Sequence, residues 1–209
     1  MDTFLIAHAC APDWRQAANA CLAQIGHIPP ESNLGFLYVT DHLSADLPNV
    51  LNFFKEQTDI LHWVGSVGVG VCATSREYND QPAMSVMIAD FPTDSFRVFP
   101  AIKSDIEEFS DHRDWCEKSD AHFAVVHGDP RNPKTPTFIA ELAEAINDGY
   151  LVGGLSSSRG PNFQIAGGLT EGGLSGVLFS STVPVATAHT QGCSPLGHKH
   201  QVTECQNNI

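Results

Sequence analysis

Basic residues are scarce in this chain. Lys and Arg total 11 against 24 Asp and Glu, for a formal net charge of −13. No basic cluster can be drawn, so the electrostatic footprint of a nucleic-acid binder is missing. An anionic membrane surface would repel the chain for the same reason. Long apolar runs are also absent. The longest, Phe4 to Ala11, is broken by His8 and falls far short of the roughly 20 residues of a membrane-spanning helix. Asp2 stands where an export signal places Lys or Arg, and a cytoplasmic location is the default expectation.

Other familiar signatures are missing too. The six cysteines, Cys10, Cys21, Cys72, Cys116, Cys193 and Cys205, form no CxxC pair and no zinc spacing. They read as free, largely buried thiols. Neither GxxxxGK[ST] nor GxGxxG occurs, so no cofactor is expected. The near-miss Gly65-Ser-Val-Gly-Val-Gly70 has the wrong spacing and runs into Val71-Cys72-Ala73 without a helix signal. The Gly-x-Ser-x-Gly elbow of hydrolases is absent. Ten histidines raise the question of a metal, and His198-Lys-His200 would share a face on a strand, but no third ligand can be named. His122 and His127 bracket one strand and read as surface or end-of-strand residues.

What is present is a chain of alternating strand and helix signals. Phe4 to Ala9 reads as a strand and Pro12 to Ile25 as a helix with Trp14, Ala17, Ala18, Cys21, Leu22 and Ile25 at helical spacing. Gly35 to Val39 is a strand, Asp46 to Thr58 a helix, and Leu61 to Gly65 a strand. Ala83 to Ile88 and Ser95 to Phe99 follow as strands. The order then recurs: a helix at Ile106 to Lys118, a strand at His122 to Val126, a helix at Thr135 to Asn147 and a strand at Tyr150 to Gly154. Strands close the series at Gln164 to Gly167, Leu174 to Phe179 and Val185 to Thr190, with a strand-like Val202 to Cys205 behind them. Laid side by side, Phe36 to Val39 matches Phe123 to Val126, Val64-Gly65-Ser66 matches Val152-Gly153-Gly154, and Ser85 to Ile88 matches Gly176 to Phe179. The expectation is an α/β domain of mixed sheets layered with helices. It is built from a duplicated β-α-β-β-β unit with halves near 33–103 and 120–197, and it is compatible with four αββα layers. Two equivalent strand ends that converge can share one pocket.

Gly149-Tyr-Leu-Val-Gly-Gly-Leu-Ser-Ser-Ser-Arg-Gly160 is the most informative stretch. A buried strand ends in two glycines, three hydroxyls and an arginine. Glycines admit a ligand close to the backbone, hydroxyls and N–H groups are neutral donors, and Arg159 could grip a carboxylate with two bonds. A glycine bulge with a polar turn is the plain structural alternative. Cys193, with His189 and His198 near it in sequence, holds the raw material of a nucleophile, but no orienting carboxylate can be identified.

The ordered motifs resemble the FIST domain, named for F-box and intracellular signal transduction proteins. The matching pieces are Ile60-Leu-His-Trp-Val-Gly-Ser66, Tyr150-Leu-Val-Gly-Gly-Leu-Ser156, Gly176-Val-Leu-Phe179 and Gln191-Gly-Cys-Ser-Pro-Leu-Gly197 followed by Val202-Thr203. They span roughly residues 33 to 205. The resemblance implies one N-terminal-type domain over 1–209, with the family's C-terminal lobe absent. It implies a sensory domain whose ligand is a small molecule such as an amino acid or small carboxylate, standing alone or joined to signalling and F-box modules, with other signalling proteins as partners. Where relatives carry an acidic residue after the Gly-Gly strand end, this chain has Ser156-Ser-Ser-Arg159. The expected ligand-binding residues are Gly65, Ser66, Gly153, Gly154, Ser156, Ser157, Arg159 and Cys193, with no catalytic or metal residue. The alternatives are a protein-interaction scaffold, which calls for a filled interior and an exposed apolar face, and a cysteine-dependent enzyme, which calls for Cys193 within reach of a histidine. Self-association is compatible with a missing lobe.

Overall fold

Alternation of apolar residues along the strands divides the interior in two. On β2 (Leu34–Thr40), Leu37 and Val39 turn to one side, while Leu34, Phe36 and Tyr38 turn to the other. On β8 (Ala121–Gly128), Ala124 and Val126 face one way and Phe123 and Val125 the other. A strand with both faces apolar must be covered on both. The computed structural model, which describes residues 4–146, 149–188, 190, 192–194 and 196–206, covers them with helices outside and a second sheet inside. Helices α1 (Trp14–Ile25) and α2 (Leu47–Thr58) pack on the first sheet, and α3 (Ser110–Lys118) and α4 (Thr135–Ala145) pack on the second. An aromatic-rich cluster with Phe36, Phe91, Phe96, Phe123 and Phe179 fills much of the space between the sheets. The fold is therefore mixed α/β in four layers.

The remaining strands are β1 (Leu5–Cys10), β3 (His62–Gly68), β4 (Gly70–Ala73), β5 (Arg76–Asn79), β6 (Ala83–Ala89), β7 (Phe96–Ile102), β9 (Tyr150–Leu155), β10 (Gln164–Ala166), β11 (Gly168–Thr170) and β12 (Leu174–Ser180). The first sheet runs β1-β6-β2-β3-β10-β11 and the second β7-β12-β8-β9. In each, the two strands joined by the second helix lie parallel: β2 with β3 and β8 with β9. In each, a later strand inserts antiparallel beside them: β6 against β1 and β2, β12 against β7 and β8. The registers set Leu37 opposite Gly65 and Val126 opposite Gly153. By this criterion Phe36 takes the place of Val125, two residues from the pairing that the apolar patterns suggest. The β10–β11 hairpin leaves its own half and pairs with β3, Ile165 against Gly65. Gly167 N donates to Trp63 O at 2.7 Å, and Lys55 Nζ donates to Gly167 O.

Several expectations need correction. Residues 185–188 and 190 are exposed and lie in no strand, and His189 is outside the described residues. Residues 202–205 are also exposed and non-strand, as are His198 and His200. A strand needs a partner with free N–H and C=O groups, and no described edge supplies one to these segments. Helix α4 ends at Ala145, and Asn147 is outside the described residues. The β4–β5 hairpin and β11 are additions. Of the six free thiols, only Cys21 and Cys116 are buried; Cys10, Cys72, Cys193 and Cys205 are exposed. Burial pushes Cys21 up to about 12 and Cys116 up to about 11, so neither is a thiolate at neutral pH. Among the described residues, no helix is long and apolar enough to cross a membrane.

Candidate functional site

The carboxyl ends of parallel strand pairs are where α/β folds hold their ligands. Here the ends of β2/β3 and β8/β9 come together between the sheets. Tyr38 pairs in register with Ser66, and His127 pairs in register with Gly154. These four positions face one another across the seam of the two sheets. They line a cavity of about 350 Å³ together with Val67, Gly68, Gly70, Val71, Cys72, Gly153, Leu155 and Ser157. At its back the Tyr38 hydroxyl lies 3.0 Å from His127 Nε2, with the rings edge to face at 5.5 Å. His127 is 3% exposed and its Nδ1 has no hydrogen-bond partner among the described residues. Burial lowers its pKa to about 4 and raises that of Tyr38 to about 12. Both side chains are therefore neutral at physiological pH.

The expected site residues divide between this cavity and the scaffold around it. Ser66, Gly153, Gly154 and Ser157 line the cavity. Ser157 stitches the halves together: its N donates to Val67 O at 3.2 Å, and its Oγ accepts from Val69 N at 3.1 Å. Gly65 does not line it; an added Cβ would lie 1.8 Å from Leu37 O. Ser156 points inward, where both its N and its Oγ donate to Gly128 O, at 2.8 and 3.2 Å. Cys193 is exposed in a non-strand segment, lines no described cavity and makes no hydrogen bond among the described residues.

Arg159 also stands apart from the cavity, and its carboxylate partners come from the chain itself. Its Nε and Nη2 donate to the two oxygens of Asp41 at 2.7 and 2.8 Å, and its Nη1 donates to Asp80 Oδ1 at 2.7 Å. This clasp ties the β9–β10 loop to the β2–α2 connection and the β5–β6 turn. The Arg159 hydrogen bond holds the Asp41 carboxyl down at about 2. In an Arg159→Gln variant, the Asp41 carboxyl is expected to titrate upward, toward the ordinary aspartate range. A carbon-13 carboxyl titration would read this, and an unmoved Asp41 would show that other groups hold it.

Tyr38, Cys72 and His127 escaped the sequence reading. His127 does lie at the end of its strand, next to last in β8, but it is buried there and not on the surface. The signal was available: Phe123, Val125 and His127 share the period-2 phase that faces the other sheet. A second cavity of about 610 Å³ lies beside the first and shares Tyr38 and Cys72 with it. Its lining is apolar, with Phe36, Phe91, Phe123 and Phe179, and the exposed Phe4, Ile6 and Val185 belong to it. No group of three or more potential metal ligands gathers among the described residues. A family model, the FIST N domain, matches residues 33–209. No curated protein matches the sequence.

Proposed function

Since the chain belongs to the FIST N domain family, we propose that it is a small-ligand sensory domain and that its ligand occupies the seam between the two sheets. The observation that carries this reading is the convergence of Tyr38, Ser66, His127 and Gly154 on one cavity at the ends of both parallel strand pairs. A ligand there touches both sheets at once, and a change in how the sheets sit against each other is what a signalling partner would read. On this reading the domain works in the cytoplasm, passes its bound state to other signalling proteins and catalyses nothing. A scaffold calls for a filled interior, and cavities of about 350 and 610 Å³ favour a binding domain instead. The carboxylate preference lost its carrier when Arg159 turned to Asp41 and Asp80.

The test is a thermal-shift screen against amino acids, small carboxylates, their amides and nucleotides. A ligand that binds only the native state at a hundredfold excess over Kd adds about 2.7 kcal/mol of stability. The expected result is a selective rise in Tm that also slows alkylation of Cys72, an exposed thiol in the cavity wall. Gly154→Leu should abolish both effects, because a Cβ at Gly154 meets nothing within 4 Å and the longer side chain enters open space. No shift across the panel, or a shift indifferent to Gly154→Leu, would reject the site.

A further inference from the structure

We infer that His127 is the residue that reads the ligand, and that the ligand is an uncharged molecule offering a carbonyl or similar acceptor to its Nδ1–H; this rests on the sensory reading of the seam. The argument begins with the one hydrogen bond between Tyr38 and His127. If Nε2–H were the donor, the phenolic hydrogen would have no partner among the described residues, and the Nδ1 lone pair would have none either. If the phenol donates to Nε2, both of those losses vanish and a single orphan remains, the Nδ1–H. Hydrogen-bond counting of this kind is how a histidine tautomer is assigned. The geometry therefore leaves one buried donor without a partner among the described residues, on a histidine that lines a cavity large enough for a small molecule. Buried donors are nearly always paired, and an unpaired one is costly. An acceptor atom of a ligand would satisfy it.

Charge decides the rest. Among the described residues, the lining contains no Lys, Arg, Asp or Glu. His127 is held neutral by burial, and the nearest arginine on this loop, Arg159, is bound to two carboxylates. A carboxylate entering the seam would give up water without meeting a counter-charge, in a chain whose net charge is −13. An amide or ketone oxygen accepts the same hydrogen bond without that penalty.

The experiment uses the full chain carrying nitrogen-15 histidine, with the His127 ring signals assigned by their loss in His127→Gln. The probes are four pairs alike in shape and different in charge: acetamide and acetate, propionamide and propionate, nicotinamide and nicotinate, benzamide and benzoate. At least one amide should move the His127 Nδ1 signal and slow Cys72 alkylation, with its carboxylate partner at least tenfold weaker. Tyr38→Phe should change the tautomer pattern of the free protein, and His127→Phe should weaken the amide at least tenfold. Because the wild-type shift needs no variant, a misfolded His127→Phe would leave the test intact. A carboxylate that binds as well as its amide, or an amide that protects Cys72 without moving His127, overturns this inference and leaves the sensory reading standing. Failure of all eight probes to protect Cys72 or move His127 overturns it as well. If the wider panel also fails, the sensory reading falls with it.

Discussion

Gly153→Ala is expected to lower the stability of this domain by about 3 kcal/mol or more, and Gly65→Ala by as much. The two glycines occupy equivalent places. Gly153 has φ +154° and lies opposite Val126 in the β8–β9 pair; Gly65 has φ +156° and lies opposite Leu37 in the β2–β3 pair. A Cβ at either would stand 1.8 Å from the facing carbonyl oxygen, Val126 O or Leu37 O. That oxygen belongs to a strand packed on both faces and cannot retreat alone. The variant must give up either its backbone conformation, at about 1–3 kcal/mol, or ladder hydrogen bonds at about 1 kcal/mol each. The neighbouring Gly154 is the control, since a Cβ there meets nothing within 4 Å. Gly154→Ala should stay within about 0.5 kcal/mol of wild type. Urea unfolding of the three variants checks this, and a Gly153→Ala protein as stable as Gly154→Ala would refute the steric account.

The second large effect is on pH. His127 is expected to make the fold lose roughly 3 kcal/mol as the solution is acidified from pH 6.5 to 4. The sign follows from where the proton goes. Burial lowers the folded pKa from 6.5 to about 4, so across that window the unfolded chain binds a proton that the folded chain refuses. Stability therefore rises with pH through the window and is level above it. His112, also lowered by burial, adds to the slope in the same direction. Asp41 contributes elsewhere, since its stabilisation is lost only as pH falls from 3.8 toward 2. Unfolding free energies of wild type and His127→Gln at several pH values isolate the term. Parallel curves between pH 6.5 and 4 would mean that His127 is already solvated in the native state.

Much of the architecture was legible because both strand faces carry their own apolar phase. Leu37 and Val39 alternating with Phe36 and Tyr38 announce a strand covered on both sides, and the helix faces of α1 and α2 announce what covers one of them. Illegible features were those that depend on a partner distant in sequence. Val185 to Thr190 has strand composition, but composition cannot supply an edge to pair with. The β4–β5 hairpin hid behind polar residues such as Arg76, Glu77 and Asn79. Arg159 looked available because Asp41 and Asp80 approach only after folding. Ser156 and Ser157 looked like a pair of hydroxyls offered to a ligand, yet Ser156 turns inward to Gly128 and Ser157 bridges to Val69. For the site, glycines and serines were the visible part. The Tyr38–His127 pair joins positions 89 residues apart, a juxtaposition that only the packing of one sheet on the other creates.

The excursion of the β10–β11 hairpin onto β3 also bears on how the chain is made. Ile165 meets Gly65 a hundred residues after it has been synthesised. When β6 emerges, the first sheet can pair its four strands, but β3 remains an open edge with unsatisfied backbone groups, of the kind that recruits stray strands. It stays so until helices α3 and α4 and strands β7 to β9 have followed. Such long-range pairing slows folding and prolongs exposure to aggregation. The first half is thus the first to be born and cannot be finished until most of the second has appeared, so the two halves mature together.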